Sequence, residues 1–317
     1  MLKKIKRNIV LLLAAAAVLY LVLAIYSDIN AVKNSLKEFS FSYLPLILFF
    51  SLINIFSRFL KWDYYIHTLK IRLKRNQSAA IYTSSLVMHV TPGALGELFK
   101  SYLVKKASGE AMSKTAPIVF AERMTDFISL VIFSFIGAVF FDHSKVLIVI
   151  TGILLITILL FITNKYLTIR TIEFLSRFRV MHKYLTQINT VYDSFHKIFS
   201  GIPLLLMTLL TMISWLIEFL TVYLVFSALG ISAEFIWVGF IYAFSMLFGS
   251  VTSLPGGIGV TDGSMIYLIT QRNLPQNQAV ALMIIIRIVT LWFTVFIGTL
   301  GLIWVKKIFS DPEAETN

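Results

Sequence analysis

Long, mostly apolar runs recur along this chain and constrain its fold more than any other feature. About 20 consecutive apolar residues form a helix that crosses the hydrocarbon core of a bilayer. On this basis we predict six full spans: Asn8–Tyr26, Tyr43–Leu60, Pro117–Phe141, Lys145–Thr163, Ile202–Leu229 and Ala279–Val305. The chain is 58% hydrophobic and 14% charged, whereas a soluble domain is about half apolar and about a quarter charged. The sequence therefore predicts an all-α polytopic membrane protein.

Two further apolar regions are each interrupted by Pro-Gly-x-x-Gly with an acidic residue close behind. The first is Gln77–Val90 followed by Leu98–Val104, and the second is Trp237–Thr252 followed by Ile258–Thr270. Proline ends a helix and glycine permits backbone angles that other residues avoid. We therefore expect breaks at these residues: Pro92, Gly93 and Gly96 in the first region, and Pro255, Gly256, Gly257 and Gly259 in the second. Such interrupted segments are typical of transport sites, because freed backbone groups at membrane depth must be buried in protein or line a wet cavity.

The distribution of basic residues predicts the orientation of the chain. With a cytoplasmic N-terminus and two re-entrant hairpins at the breaks, 22 of the 28 Lys and Arg residues fall in cytoplasmic segments, four fall outside, and Arg123 and Arg287 lie within spans. Cytoplasmic loops are generally enriched in Lys and Arg. Both termini are then cytoplasmic, and the hairpins enter from opposite faces, as in an inverted-topology repeat. A model in which the broken halves cross fully leaves this orientation unchanged and stays open.

The chain is predicted to form one integral-membrane domain over residues 1–309, followed by a disordered acidic tail over 310–317. It contains no cysteine, which excludes disulfides and thiolate chemistry. The absence of a Gly-x-x-x-x-Gly-Lys-Ser/Thr loop argues against ATP-driven pumping, and the five histidines are dispersed. We expect no cofactor, no metal and no nucleic-acid partner, because the net charge of +12 is explained by basic membrane loops.

Ionisable residues at membrane depth are functional candidates, because an unpaired charge there is costly. Arg123 and Asp126 are spaced to pair within one helix, whereas Arg287 needs a carboxylate from elsewhere or an anionic ligand, and Glu97 and Asp262 are the expected partners. Arg123 and Arg287 are the better candidates for binding a phosphate, because guanidinium groups match phosphate oxygens. The candidate substrate-binding residues are Arg58, Glu97, Glu122, Arg123, Asp126, Asp262 and Arg287. Internal salt bridges are the alternative explanation for each. Arg58, Lys61 and Trp62 end the second span, and their first interpretation is as interfacial anchors.

Thr91–Lys100 and Ser253–Asp262, with Glu122, Arg123, Asp126 and Arg287, resemble the signature positions of a known family. This is the lysylphosphatidylglycerol synthase transmembrane-region family, also called flippase-like or UPF0104, and the resemblance covers roughly Ile9 to Lys307. It implies a membrane domain that moves lipids between leaflets. Some members are followed by a soluble aminoacyl-transferase domain that this sequence lacks, so synthase activity is not carried over and an enzyme is not expected. Asp262 stands where the family more often has Glu.

These observations predict a lipid transporter of the bacterial or archaeal cytoplasmic (inner) membrane. Its substrate would be an anionic lipid, either a phospholipid or a polyprenyl-phosphate-linked lipid. The alternative is a membrane enzyme or accessory subunit that acts on a lipid-phosphate headgroup in an aminoacyl-lipid or lipid-glycan pathway. A third hypothesis is a non-catalytic membrane protein that recruits a glycosyltransferase through the basic segment Lys165–Lys197, which could also lie on the inner membrane surface and bind anionic headgroups.

Overall fold

A computed structural model of the protein describes residues 14, 17–91, 96–140, 149, 152–153, 157, 194, 197–198, 201–252 and 254–310. The regular elements of this part of the chain are helical, as the sequence predicts. Five helical stretches within it are long and apolar enough to cross a membrane: Phe41–Thr68, Met112–Phe140, Gly201–Ala228, Phe235–Thr252 and Gln276–Phe309. The chain is therefore a multi-pass membrane protein.

Four of these stretches correspond to predicted spans, and the fifth, Phe235–Thr252, belongs to the second broken region. The first predicted span is described as a shorter apolar helix, Ala17–Tyr26, and Lys145–Thr163 lies almost wholly outside the described residues. The re-entrant prediction treats Phe235–Thr252 as short for a full crossing, but its 18 residues suffice by length and composition. The acidic tail from residue 311 and most of the basic segment 165–197 also lie outside the described residues.

We number the described helices in chain order. Their bounds are α1 Ala17–Tyr26, α2 Ile29–Lys37, α3 Leu44–Thr68, α4 Arg75–Ser85, α5 Leu98–Ser108, α6 Met112–Phe140, α7 Gly201–Ala228, α8 Phe235–Thr252, α9 Val260–Thr270, α10 Gln276–Arg287 and α11 Phe293–Ser310. Two short 3-10 turns, Leu86–Val90 and Pro255–Gly257, follow α4 and α8, and a π turn at Ile288–Trp292 joins α10 to α11. A further 3-10 turn, Phe41–Tyr43, leads into α3.

The second break is built as its sequence predicts. Helix α8 ends at Thr252, before Pro255, and Gly256, Gly257 and Gly259 all have positive φ angles, of 60°, 66° and 93°. Residues with a Cβ rarely adopt this conformation. Helix α9 then restarts at Val260 with Asp262 in its first turn.

The first break has the same organisation where it is described. Helix α4 ends at Ser85, the turn Leu86–Val90 follows, and α5 restarts at Leu98 directly after Glu97. Pro92 and Gly93 lie outside the described residues. Among the described residues, each break therefore has a helix, a 3-10 turn and a restarted helix with an acidic residue at its beginning. The turn precedes Pro92 in the first break and starts at Pro255 in the second.

The buried apolar side chains form two clusters, one around each break. The first-break cluster includes Trp62, Ile81 and Val87, and the second-break cluster includes Phe226 and Ile286. Helix α11 packs across α4 and the turn that follows it. Residues of both clusters line a cavity between the two breaks.

Candidate functional site

A cavity of about 400 Å³ lies where the two breaks approach each other. The turn Leu86–Val90 of the first break lies against the turn Pro255–Gly257 of the second, and both turns contribute to the cavity wall together with α3, α6, α7, α8 and the π turn. Its charged or ionisable lining residues include Arg58, His89, Glu97, Arg123, Asp126, Glu218 and Arg287. A volume of this size falls within the range of about 300–1,000 Å³ that is usual for small-molecule sites.

Arg123 on α6 forms a two-pronged ion pair with Glu97 at the start of α5. Its Nε donates to Oε2 of Glu97 at 3.1 Å, and its Nη2 donates to Oε1. The Glu97 side chain is 1% exposed, whereas that of Arg123 is 44% exposed. His89 lies 3.5 Å from the same Glu97 oxygen. The pair thus ties the restarted helix of the first break to α6 while part of the guanidinium stays accessible.

Asp126, one turn further along α6, binds two cations from α3. Nη1 of Arg58 donates to its Oδ1 at 2.9 Å, and Nζ of Lys61 lies 3.5 Å from the same oxygen. Nε of Arg58 donates to Asn54 at 3.1 Å. The Arg58 guanidinium also lies 4.8 Å from the ring centroid of Trp215 on α7, a cation–π distance. Three contacts therefore hold Arg58 inside the bundle.

A second buried pair lies directly behind the cavity wall. Nζ of Lys100 on α5 donates to Oε2 of Glu122 on α6 at 2.5 Å, and both side chains are buried. The ammonium group also lies 5.1 Å from the Trp62 ring centroid and 5.7 Å from that of Tyr82. Because charged groups are stable in a low-dielectric interior only when they are paired and hydrogen-bonded, this arrangement explains how Glu122 is accommodated there.

At the second break, Arg287 at the end of α10 binds Asp262 in the first turn of α9. Nε of Arg287 donates to Oδ1 of Asp262 at 2.5 Å, and the two side chains are 1% and 0% exposed. The other carboxylate oxygen accepts from the backbone N–H of Gly259 at 2.8 Å and so caps the restarted helix. Nη2 of Arg287 lies 3.5 Å from the carbonyl oxygen of Gly257. Arg287 therefore binds the break at two points.

The π turn Ile288–Trp292 immediately follows Arg287. Its residues Thr290 and Leu291 line the cavity, as does Thr294 one turn further on. The sequence predicts an uninterrupted span here, but a π turn inserts one extra residue into a helix and occurs frequently at functional sites. In this protein it marks the point where the last apolar stretch passes the cavity.

The two ion pairs occupy equivalent positions in the two broken regions. In each, the acid begins the restarted helix and the arginine comes from the next helix along the chain. The sequence separation is 26 residues for Glu97 and Arg123 and 25 for Asp262 and Arg287. This correspondence between the two parts of the chain goes beyond the short Pro-Gly-x-x-Gly similarity that predicts a repeat.

All seven predicted site residues lie in or directly behind this cavity. Arg58, Glu97, Arg123, Asp126 and Arg287 line it, whereas Glu122 and Asp262 lie behind the wall, each bound to a cation. The interpretation of Arg58, Lys61 and Trp62 as interfacial anchors is wrong. The Arg58 side chain is only 17% exposed and binds Asp126, and the side chains of Lys61 and Trp62 are buried. The expected i,i+3 pair of Arg123 and Asp126 forms only loosely, at 3.7 Å.

Sequence reasoning does not assign Lys61, Lys100, Trp215 or Tyr242 to the site, and it interprets Lys61 as an interfacial anchor. Both lysines adjoin basic loop segments and therefore count among the cytoplasmic charges in the sequence-based topology. Their helical spacing is the available signal, since Lys61 follows Arg58, and Lys100 follows Glu97, by three residues. The two aromatic residues carry no signal within otherwise apolar helices.

The sequence of this chain is similar to those of known membrane proteins. The family model described as lysylphosphatidylglycerol synthase TM region matches residues 9–298, and so includes every site residue. The chain is 27% identical to a UPF0104 membrane protein of Methanocaldococcus jannaschii over 74% of this chain and 99% of that protein. It is 23% identical to one from Pyrococcus horikoshii over 94% and 97% of the two chains. A UPF0104 membrane protein of Methanothermobacter thermautotrophicus is 22% identical over 80% and 82%.

Proposed function

The chain belongs to the lysylphosphatidylglycerol synthase TM region family, and we propose that it moves an anionic lipid between the leaflets of the cytoplasmic membrane. The substrate is a phospholipid or a polyprenyl-phosphate-linked lipid whose charged headgroup enters the cavity while its apolar tails stay in the bilayer. The observation that carries this proposal is the cavity between two helix breaks, which exposes Arg123 beside Arg58. Interrupted helices that meet at a polar cavity are the usual construction of transporter sites.

The two broken segments are re-entrant hairpins in this proposal, and they enter the membrane from opposite faces. With the six predicted spans, this gives an inverted repeat with both termini in the cytoplasm. The equivalence of the Glu97–Arg123 and Asp262–Arg287 pairs, together with the contact between the two turns, supports this arrangement. Rocking of one repeat against the other about these turns would open the cavity alternately to the two leaflets.

The two arginines that the sequence assigns to phosphate binding have different roles. Arg123 is accessible, and among the described residues its Nη1 has only the loose 3.7 Å approach to Asp126. A phosphate oxygen can therefore bind Nη1 while Glu97 keeps the other two nitrogens. Arg287 is buried against Asp262, so it reaches an anion only after that pair separates. We assign Arg123 and Arg58 to the phosphate, and Arg287 to holding the second break.

The helix ends at the breaks add to the attraction for an anion. Gly256, Gly257 and Thr261 line the cavity at the start of α9. The first turn of a helix carries unpaired N–H groups and a partial positive charge. Asp262 and Glu97 moderate this positive potential, which keeps binding reversible enough for a transported headgroup to leave.

A leaflet-exchange assay with the purified protein in phosphatidylcholine vesicles tests the proposal. The probes are acyl-labelled fluorescent phosphatidylglycerol, a labelled polyprenyl phosphate and labelled phosphatidylcholine. A membrane-impermeant reductant then reports the label that reaches the outer leaflet. We expect exchange of at least one anionic probe to exceed that of phosphatidylcholine by about tenfold or more, corresponding to about 1.4 kcal/mol of selectivity.

The variants Arg123→Gln and Arg58→Gln should remove this excess exchange. Lys114→Gln is the matched control, because Lys114 pairs with Glu110 near the start of α6, outside the cavity. Equal exchange of all three lipids, or full exchange by both arginine variants, would disprove the proposed role. Formation of a new lipid species by the purified chain alone would instead identify an enzyme that acts on the headgroup.

A further inference from the structure

We propose that Glu218 is a proton-binding residue that couples headgroup binding in the cavity to the uptake of one proton. This inference rests on the proposed function and goes beyond it, because it assigns the coupling ion and the residue that carries it. When the phosphate of an anionic lipid enters, the Glu218 carboxylate takes a proton from water in the cavity. It releases that proton when the lipid leaves.

Glu218 differs from every other acid at the site in what it contacts. It lies in the middle of α7 and lines the cavity. Its Oε1 accepts a hydrogen bond from the hydroxyl of Tyr242 on α8 at 3.0 Å. Among the described residues, no Lys, Arg or His nitrogen lies within 4 Å of its carboxylate, whereas such a partner is present for the other four acids, Glu97, Glu122, Asp126 and Asp262.

Among the described residues, the charges around the cavity do not balance unless Glu218 is included. Near the first break, four cations pair with three acids: Arg58, Lys61, Lys100 and Arg123 with Glu97, Glu122 and Asp126. At the second break, one cation, Arg287, pairs with one acid, Asp262. The paired groups therefore carry one net positive charge. An ionised Glu218 neutralises it when the cavity is empty, and a singly charged phosphodiester can do so when the cavity is filled.

Several charged or titratable groups face Glu218 from the helices around it. Arg58 comes from α3, Asp126 from α6 and Tyr242 from α8, and Arg287 at the end of α10 also lines the cavity. The other ionisable residues named above in the cavity wall are His89, Glu97 and Arg123. Arg58 attracts the Glu218 carboxylate, but it is already bound to Asp126.

A phosphate next to Arg58 would place a second anion beside the Glu218 carboxylate in a poorly solvated cavity. Like charges so placed disfavour joint ionisation. Binding of the phosphate therefore favours the protonated form of Glu218.

This competition between the two anions makes headgroup binding depend on pH. Protonation of Glu218 removes a negative charge from the cavity, so an anionic headgroup binds more tightly as the pH falls through the range in which Glu218 titrates. By reciprocity, headgroup binding promotes proton uptake. A lipid that crosses in this form carries the proton with it, so a proton gradient can drive its net movement.

Calorimetry with glycerophosphoglycerol, the deacylated headgroup of phosphatidylglycerol, tests the inference on the purified full-length protein. Titrations in buffers with different ionisation heats give the number of protons taken up per headgroup bound. We expect about one proton for the wild-type protein and about none for Glu218→Gln, which mimics the protonated state. As the pH rises through the range in which Glu218 titrates, affinity should fall at least tenfold for the wild-type protein and stay nearly constant for the variant.

Glu234→Gln is the matched control, because Glu234 is exposed and lies outside the cavity; it should keep the proton uptake. Tyr242→Phe removes the hydrogen bond to Glu218 but keeps the carboxyl group, so it should displace the pH dependence of headgroup binding. Infrared difference spectra of the wild-type protein give an independent readout, since a new carboxylic-acid band should appear when the headgroup is added.

Binding without proton uptake, or uptake that persists in Glu218→Gln, would overturn the coupling role and leave the proposed transport function standing. If Glu218→Gln does not fold, the absence of the carboxylic-acid band in the wild-type protein would overturn it. Absence of headgroup binding, together with a failed leaflet-exchange assay, would overturn both proposals.

Discussion

Arg123 and Glu97 form a hydrogen-bonded ion pair in which the acid is 1% exposed and the arginine 44% exposed. The buried acid lies at the start of α5, so the pair fixes the restarted helix of the first break against α6. The exposed arginine lies in the cavity wall. One pair therefore serves both the local structure of the break and the proposed contact with a phosphate.

Neutralising Arg123 alone should damage both stability and transport. Arg123→Gln leaves the Glu97 carboxylate buried without its main partner, and we expect a loss of about 3–5 kcal/mol in the free energy of unfolding. The double variant Glu97→Gln and Arg123→Gln removes both charges, so it should regain most of the stability without regaining transport. Thermal unfolding in detergent and the leaflet-exchange assay measure the two effects separately. Recovery of transport by the double variant would show that Arg123 does not hold the headgroup.

The second break should tolerate little change at Asp262. This carboxylate is fully buried and binds both Arg287 and the backbone of Gly259. Asp262→Glu adds a methylene in this packed site and should destabilise the protein by about 1–3 kcal/mol, whereas Asp262→Asn leaves a buried Arg287 without its carboxylate and should cost about 3–5 kcal/mol. Thermal unfolding of both variants tests this order. A fully stable Asp262→Asn would mean that the pair does not hold the break.

Two glycines let α11 pass close to the first break. A Cβ on Gly298 would lie 2.9 Å from the carbonyl carbon of Leu86, and one on Gly301 would lie 2.6 Å from that of Thr83. Because the obstacle is backbone, we expect Gly298→Ala and Gly301→Ala each to destabilise the protein by about 1–3 kcal/mol, as measured by thermal unfolding. They should also reduce transport by displacing the turn that borders the cavity.

Gly263→Ala is the matched control for these two variants. Gly263 lies within α9, and a Cβ there would meet nothing within 4 Å. Replacing a helical glycine with alanine should stabilise the protein by about 0.5–1 kcal/mol. Similar unfolding temperatures for all three variants would disprove the close-packing explanation.

The contact between Arg58 and Trp215 should be energetically coupled. The guanidinium carbon lies 4.8 Å from the ring centroid inside the bundle. A double-mutant cycle with Arg58→Met and Trp215→Leu, measured by thermal unfolding, should give a coupling energy of about 0.5–2 kcal/mol.

A second cycle, with Lys61→Met and Trp215→Leu, provides the control for this contact. Lys61 comes from the same helix as Arg58, but its ammonium group contacts Asp126 and Thr211. We expect its coupling to Trp215 to be the smaller of the two. Additive effects in the Arg58 cycle would mean that the ring packs beside the cation without stabilising it.

The features that the sequence predicts well are those that depend on nearby residues. Apolar runs, the break before Pro255 and the position of Asp262 in the first turn of α9 all follow from local backbone chemistry and hydropathy. The sequence also singles out seven charged residues that the structure brings together in or behind one cavity, because an ionisable residue in an apolar run is conspicuous. It predicts least about Lys61 and Lys100, which adjoin basic loops and therefore resemble ordinary cytoplasmic charges.

The sequence by itself determined that this chain is a helical membrane protein, that two Pro-Gly motifs interrupt its apolar regions, and which charged residues lie within its apolar runs. Only the tertiary structure decided which charge binds which: Arg123 takes Glu97, Arg58 takes Asp126, and Glu218 accepts from a tyrosine hydroxyl. Ion pairing between distant residues depends on which helices pack together, and in a membrane interior each buried charge must find its partner there. The local sequence does not specify these partners, so the cavity and its charge balance can be identified only from the packed helices.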